Sequence, residues 1–291
     1  MKRQEFKMTA GGTRPVIYEE FSSMDEFLRI LQEREANGKP IECNQREKKR
    51  PGFTGVENYE EAENLAKNGY DEPVEDIKAT YEMAIRNKTV DKITPSVVGG
   101  APIVPNVIRG LPRNMMGVKK QVVMQRSSVI DLYVDTDVPC GVTTQQIKEM
   151  ALKIIANIAE LESFGYKVNL YSVANFCVWR GGGINEAVAV KVKDCNQRFN
   201  AKRLAFATIH PAMNRCLTFQ WYNYVPGGQK VSGYGYPMVA IYEEEAEYTK
   251  IGKEIFGRGK QNVAYIPIAA LINKSASQSE VHDTIQRAIA G

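Results

Sequence analysis

Polar and apolar positions alternate in two different ways along this chain, and the change falls near residue 120. Downstream, runs rich in β-branched and aromatic residues take turns with stretches whose apolar residues recur every three or four positions. Residues 121–136 (QVVMQRSSVIDLYVDT), 166–179 (YKVNLYSVANFCVW), 186–194 (EAVAVKVKD), 235–244 (GYPMVAIYEE) and 262–271 (NVAYIPIAAL) read as strands. Between and after them, residues 143–165, 200–220, 245–259 and 277–290 read as helices. The strongest is 143–165, with Ile147, Met150, Ala151, Ile154, Ile158 and Leu161 on one face. Thr143 or Thr144 caps its start and Gly165 ends it. Pro211 is expected to kink or restart the helix that carries it. Such alternation predicts an α/β/α domain over residues 121–291: a mostly parallel sheet with helices on both faces.

Upstream, residues 1–93 read as a helical region. Ser22 or Ser23 can cap a helix whose apolar face is Phe27, Leu28, Ile30 and Leu31. Asn58 can cap a second, ended by Asn68-Gly69, and a third runs from Pro73 to Asn87. Residues 94–120 form the connection. Residues 94–118 hold four prolines and four glycines among apolar residues, a pattern that predicts an ordered loop lying over a core.

Composition changes this picture little. The charged fraction of 25% and net charge of +4 are ordinary, and they neither require nor exclude a nucleic-acid partner. Five scattered cysteines without a C-x-x-C pair, and only two histidines, leave no zinc-ligand spacing. No apolar run approaches the ~20 residues of a membrane span. The expected setting is a reducing cytosol, with no membrane association and no cofactor.

The strand 129–135 runs into an acidic turn, Asp135-Thr136-Asp137. The element order resembles a von Willebrand A-type domain, whose metal site places Asp-x-Ser-x-Ser directly after the first strand. Asp135 matches the first position; Asp137 and Pro139 stand where the serines belong, and Glu243-Glu244-Glu245 ends the later strand where such domains often have Thr-Asp-Gly. Asp135 and Asp137 are therefore the candidate metal ligands of a scaffold without an intact metal site. The competing role is to cap or solvate the loop.

Four further stretches resemble a family of uncharacterised bacteriophage-encoded proteins: FTGVENYEEAENLAKNGY (53–70), GLPRNMM (110–116), HPAMNR (210–215) and SGYGYP (232–237). Cys216 stands where that family has a second Arg. The resemblance implies a phage or prophage origin, hence the host bacterial cytoplasm, and brings no reaction with it.

Remaining candidates are surface chemistries. Lys48, Lys49 and Arg50 end a basic run able to contact phosphates. Trp221, Tyr222, Tyr224, Lys230, Tyr234 and Tyr236 form an aromatic-basic set suited to protein interfaces or to base stacking. His210 and Arg215 share one helical stretch as structural or anion-contacting residues. The glycines of RGGGINE lie between strands and read as a hairpin turn rather than a phosphate cradle. No nucleophile, base and carboxylate constellation is visible. The leading expectation is a non-enzymatic protein acting by protein–protein association, as a homo-oligomer or on a phage or host partner. Single-stranded DNA or RNA binding is the first alternative. A metal-assisted hydrolase built on Asp135, Asp137 and His210 is the second.

Overall fold

The computed structural model describes residues 1–10, 13–38, 44–86, 89–122, 128–139, 141–177, 183–197, 199–227, 236–237 and 245–290. Two sheets are present, and they differ in how they are covered.

The larger sheet is built from β1 (Lys2–Met8), β2 (Arg14–Phe21), β6 (Val129–Asp135), β7 (Lys167–Cys177), β8 (Asn185–Lys193) and β10 (Val263–Pro267), in the order β1-β2-β8-β7-β6-β10. The β2–β8, β7–β6 and β6–β10 pairs are parallel; β1–β2 and β8–β7 are antiparallel. The short β9 (Tyr236–Pro237) pairs with β7 off this path. The mixed α/β architecture with a mostly parallel sheet is thus as expected. The antiparallel β7–β8 pair is what a hairpin requires, although residues 178–182 lie outside the described ones.

Strand periodicity sends Ile130, Leu132 and Val134 of β6 to one face and Tyr133 and Asp135 to the other. The first face is covered by α1 (Met24–Asn37), α3 (Tyr59–Asn68), α4 (Val74–Arg86), α6 (Thr144–Ser163), α7 (Ala201–Ile209) and α11 (Gln278–Ala290). The second is covered by Ile251, Ile255 and Phe256 of α9 (Glu245–Phe256). There Tyr265, Tyr133 and Tyr171 stand in register on three neighbouring strands. The helix starts follow the sequence: Ser23 caps α1, Asn58 caps α3, and Thr143 with Gln146 makes a full capping box on α6. Gly165 after α6 has φ +89°. Residues 268–273, expected to prolong a strand, instead form the helix α10 (Ile268–Asn273).

Two expectations need correction. Residues 1–93 are not wholly helical, because β1 and β2 join the sheet and β2 lies beside β8. Their polar, proline-containing sequence hides the strand period: β1 is an edge strand with charged residues facing solvent.

The second correction concerns the connection, residues 94–120. It does not lie over a core. Residues 89–122 form a separate antiparallel sheet of β3 (Thr89–Ser96), β5 (Met115–Val122) and β4 (Ala101–Pro102), with the short helix α5 (Val104–Ile108) at its tip. Among the described residues, no helix or strand of the body packs extensively on it. Two of its glycines serve close strand approach. A Cβ on Gly99 would stand 2.0 Å from the Met116 carbonyl oxygen, and one on Gly117 2.5 Å from the Ser96 Cβ. Among the described residues no helix is long and apolar enough to cross a membrane.

Candidate functional site

The acidic turn sits at the carboxyl end of β6, between β7 and β10, where parallel α/β sheets commonly present their loops to ligands. Both carboxylates are buried. The Asp137 amide donates to Asp135 Oδ1 at 2.9 Å, so the turn closes on itself. The Tyr265 hydroxyl donates to Asp135 Oδ2. Asn214 Nδ2 donates to Asp137 Oδ1 at 3.0 Å, and Thr136 Oγ1 lies 3.3 Å from Ser172 Oγ. Among the described residues, Asp137 Oδ2 and Asn214 Oδ1 have no hydrogen-bond partner.

Burial pushes the Asp135 carboxyl up to about 6, against the hydrogen bonds from Tyr265 and the Asp137 amide. Asp137 is raised further, by burial and by the neighbouring Asp135 charge, while Asn214 and Arg215 pull it down. Such a pair retains a proton more readily than free carboxylates do. A hard divalent cation takes six or more oxygen ligands. Three of the four carboxylate oxygens here already accept a hydrogen bond, and no group of three or more His, Cys, Asp or Glu converges among the described residues. The chemistry this donor set supplies best is the retention of a proton.

His210 and Arg215 flank the turn without joining it. His210 ends α7, where Pro211 breaks the helix, and the chain resumes as a π-helix (Met213–Thr218) and α8 (Phe219–Tyr224). His210 Nδ1 accepts the Ala212 amide at 3.1 Å, and Tyr70 meets the ring edge to face at 4.7 Å. Burial lowers its pKa to about 4, and the carboxylates that oppose this are Glu61 and Glu72, not the acidic pair. The histidine braces the helix break. Arg215 is buried with its guanidinium donating to the carbonyls of Phe53, Pro139 and Val142 at 3.1–3.4 Å and stacking over the Phe53 ring. It ties the helical turn at Phe53 to the loop that holds Pro139 and Val142, and lends positive charge to Asp137.

Of the aromatic set, Trp221 and Tyr222 are buried rather than on the surface. Trp221 is buried and donates to Glu19 Oε2 at 2.8 Å. Burial would raise the Glu19 carboxyl, but Arg34, Trp221 and Arg3 hold it below its ordinary value. Tyr222 is buried against Phe176. Tyr224 is half-buried with its ring against Gly38, whose Cβ would come within 2.7 Å of it. Trp221 and Tyr222 are thus on the buried side of α8. Lys230 and Tyr234 lie outside the described residues, and Tyr236 is placed only as backbone in β9. Lys49 and Arg50 are exposed and Lys48 half-buried. Nearby Arg46 is committed to Glu35 and Glu63 and to the Tyr59 ring.

The surface that sequence reasoning missed is the small sheet. Ile93 and Val118 are cross-strand partners, 66% and 68% exposed, and Ile108 on α5 is 80% exposed. Val97, Val98, Val104, Val107, Leu111 and Met116 are also exposed. An antiparallel sheet ordinarily buries one face. Here the ribbon's apolar face has nothing over it among the described residues. Monomeric proteins rarely leave such contiguous apolar surface uncovered. The proline and glycine density that read as a loop over a core in fact builds the turns of this arm.

One family model matches the chain over residues 5–267, from within β1 to the last residue of β10 and through the whole arm. No curated protein and no solved structure gives a significant match. The chain thus belongs to the family described as Domain of unknown function (DUF7192).

Proposed function

We propose that this protein works by protein–protein association, with residues 89–122 as the associating arm and the α/β body as its support. One observation carries the reading. The body buries its apolar residues in continuous clusters, whereas nine of the large hydrophobic side chains left exposed fall between Ile93 and Val118. Interface cores favour apolar and methionine side chains over charged ones. Neither the acidic pair nor His210 has a geometry that calls for substrate chemistry: each is spent on holding loops and a helix break. The four stretches that resemble phage-encoded proteins support a phage origin and a role in the infected host cell. The position of the acidic turn, at the end of a strand flanked by two parallel neighbours, supports a von Willebrand A-like reading of the body.

Sedimentation velocity of the full chain at rising concentration tests the proposal. The native chain is expected to sediment as an oligomer, and the variant Ile93→Ser/Val118→Ser as a folded monomer. A native chain that stays monomeric at high concentration would count against it.

A further inference from the structure

We infer that the partner of the arm is a second copy of this chain, and that two arms pack apolar face against apolar face about a two-fold axis, closing a dimer. The inference rests on the associating role proposed for the arm and adds what covers it.

Elimination is the first ground. An apolar face is removed from water best by an apolar surface opposite it. Outside residues 89–122, the large hydrophobic side chains left exposed among the described residues are Met1, Met83 and Val129. They are single residues far apart in sequence, and Met83 and Val129 belong to α4 and β6, the elements that lead into and out of the arm. A second copy therefore offers the arm one matching surface, which is the arm itself. Because the same patch serves both copies, the contact is isologous and stops at two chains.

Register is the second ground. Strand period puts Pro95, Ala101 and Met116 on the face of Ile93 and Val118. All five residues are exposed and none is charged. The next pair in register, Asp91 with Lys120, is neutral as a pair. Lys92 and Lys119 are cross-strand partners on the opposite face, and both are exposed. A face with a net charge repels a copy of itself. This face carries none, and the contact leaves the lysines of both copies in water. Size agrees. The nine large hydrophobic side chains of the arm, face and tip together, are 41–80% exposed. At roughly 100 Å² each they match the ~800 Å² per partner of a standard interface. A two-fold axis across the strands sets the ribbons antiparallel, with their tips at opposite ends and the two bodies apart.

Charge placed on the face tests this. Ile93→Lys/Val118→Lys and Ile93→Glu/Val118→Glu each set like charges against themselves across the axis. By sedimentation velocity each alone is expected to associate at least about tenfold more weakly than the native chain, because apposed like charges repel. Far-ultraviolet circular dichroism is expected to match the native chain, since both positions are in water in the monomer. Mixed one to one, the two variants bring opposite charges together, and association is expected to return as a mixed dimer. Lys92→Glu/Lys119→Glu, on the opposite face, is expected to associate like the native chain. If Ile93→Ser/Val118→Ser abolishes association but the charged mixture stays monomeric, the arm remains the interface and the two-fold contact is wrong. Loss of association in Lys92→Glu/Lys119→Glu would overturn the choice of face. Native species that grow beyond two chains as concentration rises would contradict closure. A native chain that stays monomeric at high concentration overturns this contact and counts against the associating role as well.

Discussion

The body and the arm are made from similar residues and solve opposite problems. In β6, Ile130, Leu132 and Val134 are fully covered by helices, and the acids at its end are held by a tyrosine, an asparagine and a backbone amide. In the β3–β5 ribbon, Ile93 and Val118 form the same kind of cross-strand pair with nothing over it among the described residues. An apolar pair contributes to stability only when something removes it from water. In the body that something is the chain itself. In the arm the described residues do not supply it, and on the proposed function it comes from another molecule. The difference teaches that substitutions in the two regions should be read out by different measurements.

The sharpest contrast comes from truncation. Leu132→Ala removes fully covered methyl groups and is expected to cost about 2–5 kcal/mol in urea unfolding. A similar cost for an arm residue would break the comparison.

A second test uses pH and stays within the body. Asp135 and Asp137 are both raised by burial, so their contribution is fully present below the unfolded carboxyl value of 3.8 and is lost as pH rises, through about 6 for Asp135. His210 is lowered by burial, so its contribution is present above 6.5 and is lost as pH falls toward about 4. The two slopes oppose each other between pH 7.5 and 5. Asp135→Asn/Asp137→Asn should leave the histidine slope, so that stability falls toward pH 5 by roughly 2 kcal/mol. His210→Gln should leave the opposite slope, with stability rising toward pH 5. Urea titrations at the two pH values would show both signs; parallel profiles for all three proteins would refute the assignment.

Smaller effects are expected at the helix starts. Ser23→Ala and Thr143→Ala each remove a side-chain cap and should cost about 1 kcal/mol in the same assay. At the bottom of the scale, Ile108→Ser on the arm should change monomer stability by less than about 0.5 kcal/mol, because its side chain is already in water.

Much of the body was legible in the sequence because its elements obey one period each. Helix α6 buries the face its apolar spacing marks, and Pro211 restarts its helix where proline must. β1 and β2 were not legible, since strand pairing across 170 residues leaves no local sign in a charged segment such as KRQEFKM. Trp221 and Tyr222 misled because aromatic residues look alike whether they face solvent or a core; only the packing of α8 on Phe176 and Glu19 decides. Asp135 and Asp137 were visible as a pair. Their partners Tyr265 and Asn214 lie 130 and 77 residues away, and nothing in the spacing ties them to the turn. The arm was hardest to read, because apolar residues mixed with proline and glycine describe a covered loop and an uncovered ribbon equally well.

Amide hydrogen exchange of the full chain, followed as concentration rises, bears most directly on the division between self-contained body and unpartnered arm. The expected result is protection that grows with concentration in residues 89–122, with the strands of the large sheet unchanged. An arm whose exchange is independent of concentration, or already as slow as β6 in the dilute protein, would contradict it.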